Sequence, residues 1–120
     1  IVSRDWSSDV CSSDLMNVPV ANGSCIDLTT EMVNMPDIDS VNAAFKAASG
    51  NELKDIIGYT DDPIVSSDAI GSGDTMVFDA PATMIASNKL LKTIAWFDNG
   101  WGFASRILEL ADAYASLREA

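Results

Sequence analysis

The feature that most constrains the fold is a repeated change of hydrophobic period along the chain. Apolar residues alternate with polar ones from Ile26 to Thr30, which predicts a half-buried strand. The spacing then becomes helical, and the predicted buried face of this helix consists of Val41, Ala44, Phe45 and Ala48. A second helical stretch is predicted from about Gly102 to Leu117. Helices and strands therefore occupy separate blocks of the sequence.

Short apolar stretches between the two helices predict the remaining strands, at residues 53–59, 64–65, 75–78, 83–86 and 90–97. The order strand, helix, several strands, helix predicts an α+β fold. We expect a largely antiparallel, mixed sheet with helices on one face and a C-terminal helix. Asp37 is the predicted N-cap of the first helix, and Gly50 is predicted to end it in a left-handed conformation.

The composition limits the chemistry and the partners of the chain. A formal net charge of -11 over 120 residues repels phosphate backbones, so we expect no nucleic-acid partner. No apolar run reaches membrane-spanning length, and we expect a cytoplasmic protein without a membrane partner. The sequence contains no histidine, so it predicts no Cys–His or Ser–His catalytic pair. No cluster has the spacing of zinc ligands, so no metal site is predicted.

The first 15 residues differ in character from the rest. Residues 5–15, DWSSDVCSSDL, have neither a helical period nor a clean alternation. They are similar, residue for residue, to the translation of a common sequencing-adapter oligonucleotide. We therefore interpret residues 1–15 as a foreign segment outside the fold and residues 16–120 as the domain. On this interpretation Cys11 has no chemical role, and Trp6 and Val10 are expected to pack poorly against the sheet.

Five blocks of the remaining sequence resemble, in order and spacing, the C-terminal domain of the glyceraldehyde-3-phosphate dehydrogenase family. These blocks are NVPVANGSCIDLT at 17–29, LKDIIGYT at 53–60, VSSD at 65–68, FDA at 78–80 and WFDNGWGF at 96–103. Erythrose-4-phosphate dehydrogenases share the pattern. The resemblance implies an incomplete catalytic domain, cut off from a nucleotide-binding half.

The resemblance also implies an activity, an NAD- or NADP-linked oxidation of an aldehyde phosphate through a cysteine thioester. Inorganic phosphate then releases the acyl group, and the parent enzyme is a homotetramer of glycolysis or gluconeogenesis. In the family the nucleophilic cysteine and its histidine partner precede this region, and Cys25 does not match the nucleophile. We therefore predict no catalytic residue in this chain and no activity for the chain alone.

Two residues match cofactor-contacting positions of the family. Asn99 matches the asparagine that hydrogen-bonds the nicotinamide carboxamide, because an amide both donates and accepts. Its alternative role is that of a turn residue before Gly100. Phe103 matches the tyrosine beside the nicotinamide ring, and it keeps the aromatic surface without the hydroxyl. A role in the core is the alternative for Phe103.

One position departs from the family at the substrate phosphate. Asn17 stands where the family commonly has a substrate-binding arginine, which removes a bidentate, permanently charged phosphate clamp. Two alternatives to a glyceraldehyde-3-phosphate dehydrogenase therefore stay open. One is a dehydrogenase of the same fold for another aldehyde, such as erythrose 4-phosphate. The other is a binding module without catalysis.

Overall fold

A computed structural model of the chain describes residues 11–14 and 20–118, with side chains from residue 20 onward. In these two ranges the fold is α+β, as predicted. The elements in chain order are β1 (Cys11–Asp14), β2 (Ser24–Glu31), α1 (Ile38–Gly50), β3 (Ile57–Thr60), a short 3-10 helix (Ser66–Ala69), β4 (Met76–Ser87), β5 (Leu90–Phe97) and α2 (Trp101–Leu117).

The sheet has the strand order β1-β2-β5-β4-β3. The pair β3–β4 is parallel, and the other pairs are antiparallel, which confirms the prediction of a mixed, largely antiparallel sheet. Strand β5 lies at the centre and has the predicted bounds. Its last residue, Phe97, pairs with Ser24 at the start of β2, so the two strand ends lie side by side.

Helix α1 covers the β3–β4 side of the sheet and forms the core with it. The ring of Phe45 stacks on that of Phe78 with centroids 3.8 Å apart, and Phe78 is only 1% exposed. Tyr59 of β3 stacks on the same ring at 6.0 Å. Val41 is also buried, whereas Ala44 is exposed, so the prediction of Ala44 as a core residue was wrong. The buried stripe of α1 is therefore narrower than the sequence pattern indicated.

The start of α1 is as predicted, but its end is not. Asp37 Oδ1 accepts the backbone N–H of Ser40 at 2.7 Å, which is the expected N-cap bond. Gly50 does not adopt a left-handed conformation. The chain instead continues into further turns, and Asn51 Nδ2 donates to the carbonyl of Ala47 at 2.7 Å. A side-chain bond thus satisfies one of the terminal carbonyls that a left-handed glycine would otherwise help to satisfy.

Four predicted strands differ from the structure in their bounds, their number or their existence. Residues 64–65 are not a strand, because the chain leaves Pro63 and enters the 3-10 helix. Residues 53–56 form turns, and only Ile57–Thr60 pairs in the sheet. The stretches 75–78 and 83–86 belong to one strand, β4, whose register with β5 shifts between Asp79 and Met84. Pro81 lies within this irregular part. Because β4 and β5 are not regularly paired there, the missing N–H of the proline removes no ladder hydrogen bond.

Helix α2 contrasts with α1, because Gly102 is its only buried residue. Its large apolar side chains are exposed, namely Trp101, Phe103, Ile107, Leu108, Leu110, Tyr114 and Leu117. The second predicted helix is therefore present, but its apolar side chains face solvent. Neither helix in the described ranges is long and apolar enough to cross a membrane.

Strand β1 lies in the segment that we expected to stay outside the fold. Its four residues pair with Asp27–Thr30 of β2 along the outer edge of the sheet. Such a ladder is formed by backbone groups, so an exposed edge can pair with a segment whatever its side chains. We expected Trp6 and Val10 to pack poorly against the sheet, but both lie outside the described residues. The adapter origin of residues 5–15 and the boundary at residue 16 stay predictions.

Candidate functional site

The candidate site lies where β5 ends and α2 begins. Asp98, Asn99 and Gly100 connect the two elements. Because Phe97 pairs with Ser24, this connection runs beside the turn that leads into β2. The loop after the 3-10 helix reaches the same place through Gly71. Three segments that are distant in sequence therefore meet around one short turn.

Asp98 is the centre of this meeting point. Its Oδ1 accepts the backbone N–H groups of Gly100 and Trp101, both at 2.9 Å. Its Oδ2 accepts the N–H of Gly71 at 3.1 Å and the Nδ2 of Asn22 at 3.2 Å. A carboxylate has about four acceptor sites, so these bonds use its capacity fully. Asp98 is thus bound to the protein on both oxygens.

These hydrogen bonds make Asp98 strongly acidic. The backbone N–H of Gly100 has the largest effect, followed by those of Trp101 and Gly71, and together they lower the pKa of Asp98 to about 2. The bonds stabilise the ionised form because each donor points at a charged oxygen. The site therefore carries a fixed negative charge at neutral pH, and Asp98 is unsuited to accept a proton there.

Asn99, the residue after Asp98, has a side-chain amide that is only partly used in hydrogen bonds within the described chain. Its side chain is exposed, and its Oδ1 accepts the hydroxyl of Ser24 at 2.5 Å. Within the described part of the chain, no residue accepts a hydrogen bond from its Nδ2. Asn99 can therefore donate two hydrogen bonds and accept a further one from a ligand. The structure brings Asn99 together with Ser24, a neighbour that the sequence reasoning did not identify.

Phe103 stands in the first turn of α2, four residues after Asn99. Its side chain is 70% exposed, which excludes a role in the core of the described chain. An exposed aromatic face at a helix start offers a flat apolar surface to a planar ligand. The third predicted site residue, Asn17, lies outside the described residues.

The helix start is held close to the loop before β4 by a glycine. A Cβ atom placed on Gly102 would lie closer to the carbonyl oxygen of Asp74 than any real contact allows. At Gly100, two residues earlier, nothing lies within 4 Å of such an atom. The close approach at Gly102 therefore fixes the direction in which α2 leaves the sheet.

A buried carboxylate supports the strand that carries the site. Asp79 of β4 is 5% exposed, and its Oδ2 accepts the indole N–H of Trp96 at 2.9 Å. Its Oδ1 accepts the backbone N–H of Ala82 at 3.2 Å, within the irregular part of β4. Asp79 thus joins β4 to the end of β5. Its carboxylate accepts hydrogen bonds where β4 is irregular, and it does not face the candidate site.

Cys25 lies in β2, where it pairs with Trp96 of β5. It is a free, half-buried thiol. No three Cys, Asp or Glu side chains are grouped as metal ligands in residues 11–14 and 20–118.

Sequence reasoning missed Asp98 and Ser24, although one of them had a signal. Asp98 accepts the N–H groups two and three residues ahead, in the turn that contains the N-cap Gly100. Aspartate commonly forms such local turns, so its residue type could have marked this bonding, but not the bonds from Gly71 and Asn22. Ser24 had no signal, because its proximity to Asn99 depends on the register of β2 and β5.

The fold and the site define a class of protein, an α+β domain with an amide and an aromatic ring displayed at the end of its central strand. A sequence profile of the family described as glyceraldehyde 3-phosphate dehydrogenase, C-terminal domain, matches residues 3–99. The chain belongs to this family. The match begins upstream of residue 16 and includes β1.

Curated relatives agree with the family. The chain is 44% identical over 95 residues to a glyceraldehyde-3-phosphate dehydrogenase of Phytophthora infestans, covering 79% of the chain and 29% of the relative. It is 43% identical over 95 residues to glyceraldehyde-3-phosphate dehydrogenase 2 of Streptomyces avermitilis, covering 79% and 28%. A cytosolic form from Craterostigma plantagineum is 41% identical over 93 residues, with 78% and 28% covered. The match thus spans less than a third of the length of these relatives.

Proposed function

We propose that this chain is the C-terminal part of the catalytic domain of an NAD- or NADP-dependent, phosphorylating aldehyde dehydrogenase of the glyceraldehyde-3-phosphate dehydrogenase type. The observation that carries the proposal is the turn after β5, where Asn99 is held by Ser24 with its amide nitrogen directed to no protein acceptor in the described chain. This turn lies in the motif WFDNGWGF, in which the resemblance to the family is densest.

Asn99 would orient the nicotinamide ring by binding its carboxamide. The Nδ2 group donates to the carboxamide oxygen, and the remaining acceptor site on Oδ1 takes the carboxamide N–H. In this orientation the Ser24 hydroxyl donates to Oδ1, which leaves both N–H groups of Nδ2 for a ligand. The donor and acceptor set of the site therefore fits a carboxamide, and a fixed carboxamide determines which ring face meets the substrate.

Phe103 would form an apolar wall beside the ring. Its exposed face follows Asn99 by four residues and is available to cover a planar ring. The nicotinamide cofactor, when bound, accepts the hydride. The residues of this chain hold and orient it, while Asp98 stays ionised and adds negative charge near the positively charged ring of the oxidised cofactor.

The proposed substrate is an aldehyde phosphate, used together with inorganic phosphate. We propose that Asn17 replaces the usual arginine as a neutral, hydrogen-bonding contact to the substrate phosphate. A neutral amide binds phosphate more weakly than a guanidinium does. The substrate could therefore also be a different aldehyde, such as erythrose 4-phosphate. The tetrameric assembly and the cytoplasmic location are proposed from the family.

The 120-residue chain alone is proposed to be inactive. It contains no histidine to activate a thiol, and Cys25 lies within the paired part of β2. Activity would therefore need the nucleophile and base of the rest of the parent enzyme.

A hybrid enzyme tests the proposal. Residues 16–120, which include Asn17, replace the corresponding region of a full-length relative, and NAD and NADP reduction is measured with phosphate and either glyceraldehyde 3-phosphate or erythrose 4-phosphate. The proposal expects reduction with at least one aldehyde, and none from the 120-residue chain alone. A variant hybrid lacking the relative's nucleophilic cysteine is the matched control. A correctly folded and assembled hybrid that reduces neither cofactor would contradict the proposal.

A further inference from the structure

The bonding of Asp98 exceeds what its local turn requires. An aspartate turn before the N-cap Gly100 needs only the local bonds from Gly100 and Trp101. The two bonds from Gly71 and Asn22 instead reach 27 and 76 residues along the chain. They attach the β5–α2 turn to the loop before β4 and to the turn before β2. The local turn alone does not account for this second pair.

Asn99 depends on that attachment because its own restraints are few. The side chain makes one exposed hydrogen bond, to Ser24, and the next residue is a glycine with open space around it. A turn with one exposed bond and a neighbouring glycine has several accessible conformations. The adjoining Asp98, bound on both oxygens, is the contact that limits them.

We propose that Asp98 is a positioning residue, which fixes the orientation of the Asn99 side chain by tying the β5–α2 turn to Gly71 and Asn22. The saturated carboxylate has no acceptor site left for a ligand, so it acts through Asn99 and not on the cofactor. This inference rests on the proposed function for its consequence in catalysis. Its structural part, that Asp98 fixes the orientation of the Asn99 side chain, does not depend on the proposed function.

A reciprocal exchange between Asn22 and Asp98 tests the inference in the 120-residue chain. Asp98→Asn replaces an acceptor by a donor opposite the Nδ2 of Asn22, and Asn22→Asp replaces that donor by a second carboxylate. The double variant restores one donor and one acceptor between residues 22 and 98, with their direction reversed. It does not restore the bond from Gly71, whose N–H then faces an amide nitrogen instead of an oxygen. The carboxylate that Asn22→Asp introduces can still accept the N–H of Gly23, as Asn22 Oδ1 does at 2.8 Å. Asp112→Asn, on the exposed side of α2, is the control for the loss of one charge.

The measurement is NMR of the Asn99 side-chain amide, well below the melting temperature. Its readouts are the 15N order parameter and the proximity of Asn99 to Ser24, with the Phe45–Phe78 ring contact as a reporter of the intact core. We expect each single variant to lower the order parameter of the Asn99 side-chain amide below that of the original chain. The double variant restores part of the loss, because it regains the bond between residues 22 and 98 but not the bond from Gly71. Asp112→Asn leaves the order parameter unchanged. A purely structural role would lower the melting temperature without loosening Asn99 in the folded state.

An Asn99 amide that stays equally ordered in the folded single variants would overturn the inference, as would a double variant that restores nothing. If Asp98→Asn fails to fold, Asn22→Asp carries the same test, because it leaves both bonds from Asp98 to Gly100 and Trp101 in place. The test uses no cofactor. A failure of Asn99 to bind the carboxamide would therefore refute the proposed function and leave the positioning result standing.

Discussion

At the scale of single residues, the site shows how backbone donors can hold a charge without a basic partner. Three N–H groups and one side-chain amide surround Asp98, and the backbone bonds from Gly100, Trp101 and Gly71 dominate its acidity. The motif presents a carboxylate and an amide side by side, with different tasks. Asp98 is saturated by the protein, whereas Asn99 is left with hydrogen-bonding capacity for a ligand.

The first prediction concerns the pH dependence of stability. The folded pKa of Asp98 is about 2, below the value of about 3.9 for an aspartate in an unfolded chain. Its contribution to the free energy of unfolding is therefore complete above about pH 4 and is lost as the pH falls toward about 2. Asp98→Asn should reduce stability at about pH 6 and flatten its decline below about pH 4, as measured by urea unfolding. A decline equal to that of the original chain would refute the role of Asp98, and Asp112→Asn is the control.

The second prediction concerns the two glycines at the start of α2. Gly102→Ala places a Cβ atom against the backbone of Asp74 and should lower the free energy of unfolding by about 1–3 kcal/mol, as overpacking does. Gly100→Ala adds the same atom in open space, at a negative φ of -128°. Because Gly100 is the N-cap, where glycine is preferred to alanine, this substitution should still cost about 0.5–1 kcal/mol. Equal effects of the two substitutions in urea unfolding would show that the close approach is not what requires glycine.

At the scale of elements, α2 is the part of the chain least supported by its own contacts. Its apolar side chains remain in water, at about 25 cal/mol for each Å² left uncovered. A helix of this kind is stabilised chiefly by packing against another surface. We therefore expect the 120-residue chain to be marginally stable and to self-associate.

The third prediction concerns this exposed face. Leu110 is 71% exposed, so Leu110→Glu should reduce self-association while changing the free energy of unfolding by less than about 0.5 kcal/mol. Leu91→Ala, at a side chain that is 8% exposed in β5, should instead cost about 2 kcal/mol or more and leave self-association undiminished. Sedimentation and urea unfolding measure the two quantities. Unchanged self-association of the Leu110→Glu variant would show that the chains do not associate through this face of α2.

The elements differ in how well the sequence predicted them, and the reasons are physical. The bounds of β5 and the N-cap of α1 follow from local signals, a β-branched and aromatic run and an aspartate at a helix start. The single strand β4 was predicted as two, because Pro81 suggests a break that a register shift absorbs. The end of α1 depends on Asn51 bonding back to Ala47, which a prediction based on Gly50 overlooks.

At the scale of the whole molecule, the order of the elements follows from the family. The site, in contrast, forms where segments that are distant in sequence contact one another. Residues 22, 71 and 98 come together only because β2 pairs with β5 and the loop before β4 folds over their ends. Resemblance therefore predicted Asn99 and Phe103 from one motif. It could not predict Asp98 as the connection to Asn22 and Gly71, since those contacts depend on the tertiary register.

The central claim is that Asn99 orients the nicotinamide carboxamide in the complete enzyme. Asn99→Ala in the hybrid enzyme removes up to two hydrogen bonds to the carboxamide, each worth on the order of 1 kcal/mol. Cofactor affinity should fall about tenfold, hydride transfer should slow, and the melting temperature should change little. If Asn99 only shapes the turn, the variant should melt earlier and bind cofactor normally. The decisive measurement is the cofactor Kd of the folded Asn99→Ala hybrid: an increase of about tenfold is the result we predict, and an unchanged Kd with a lowered melting temperature would contradict the claim.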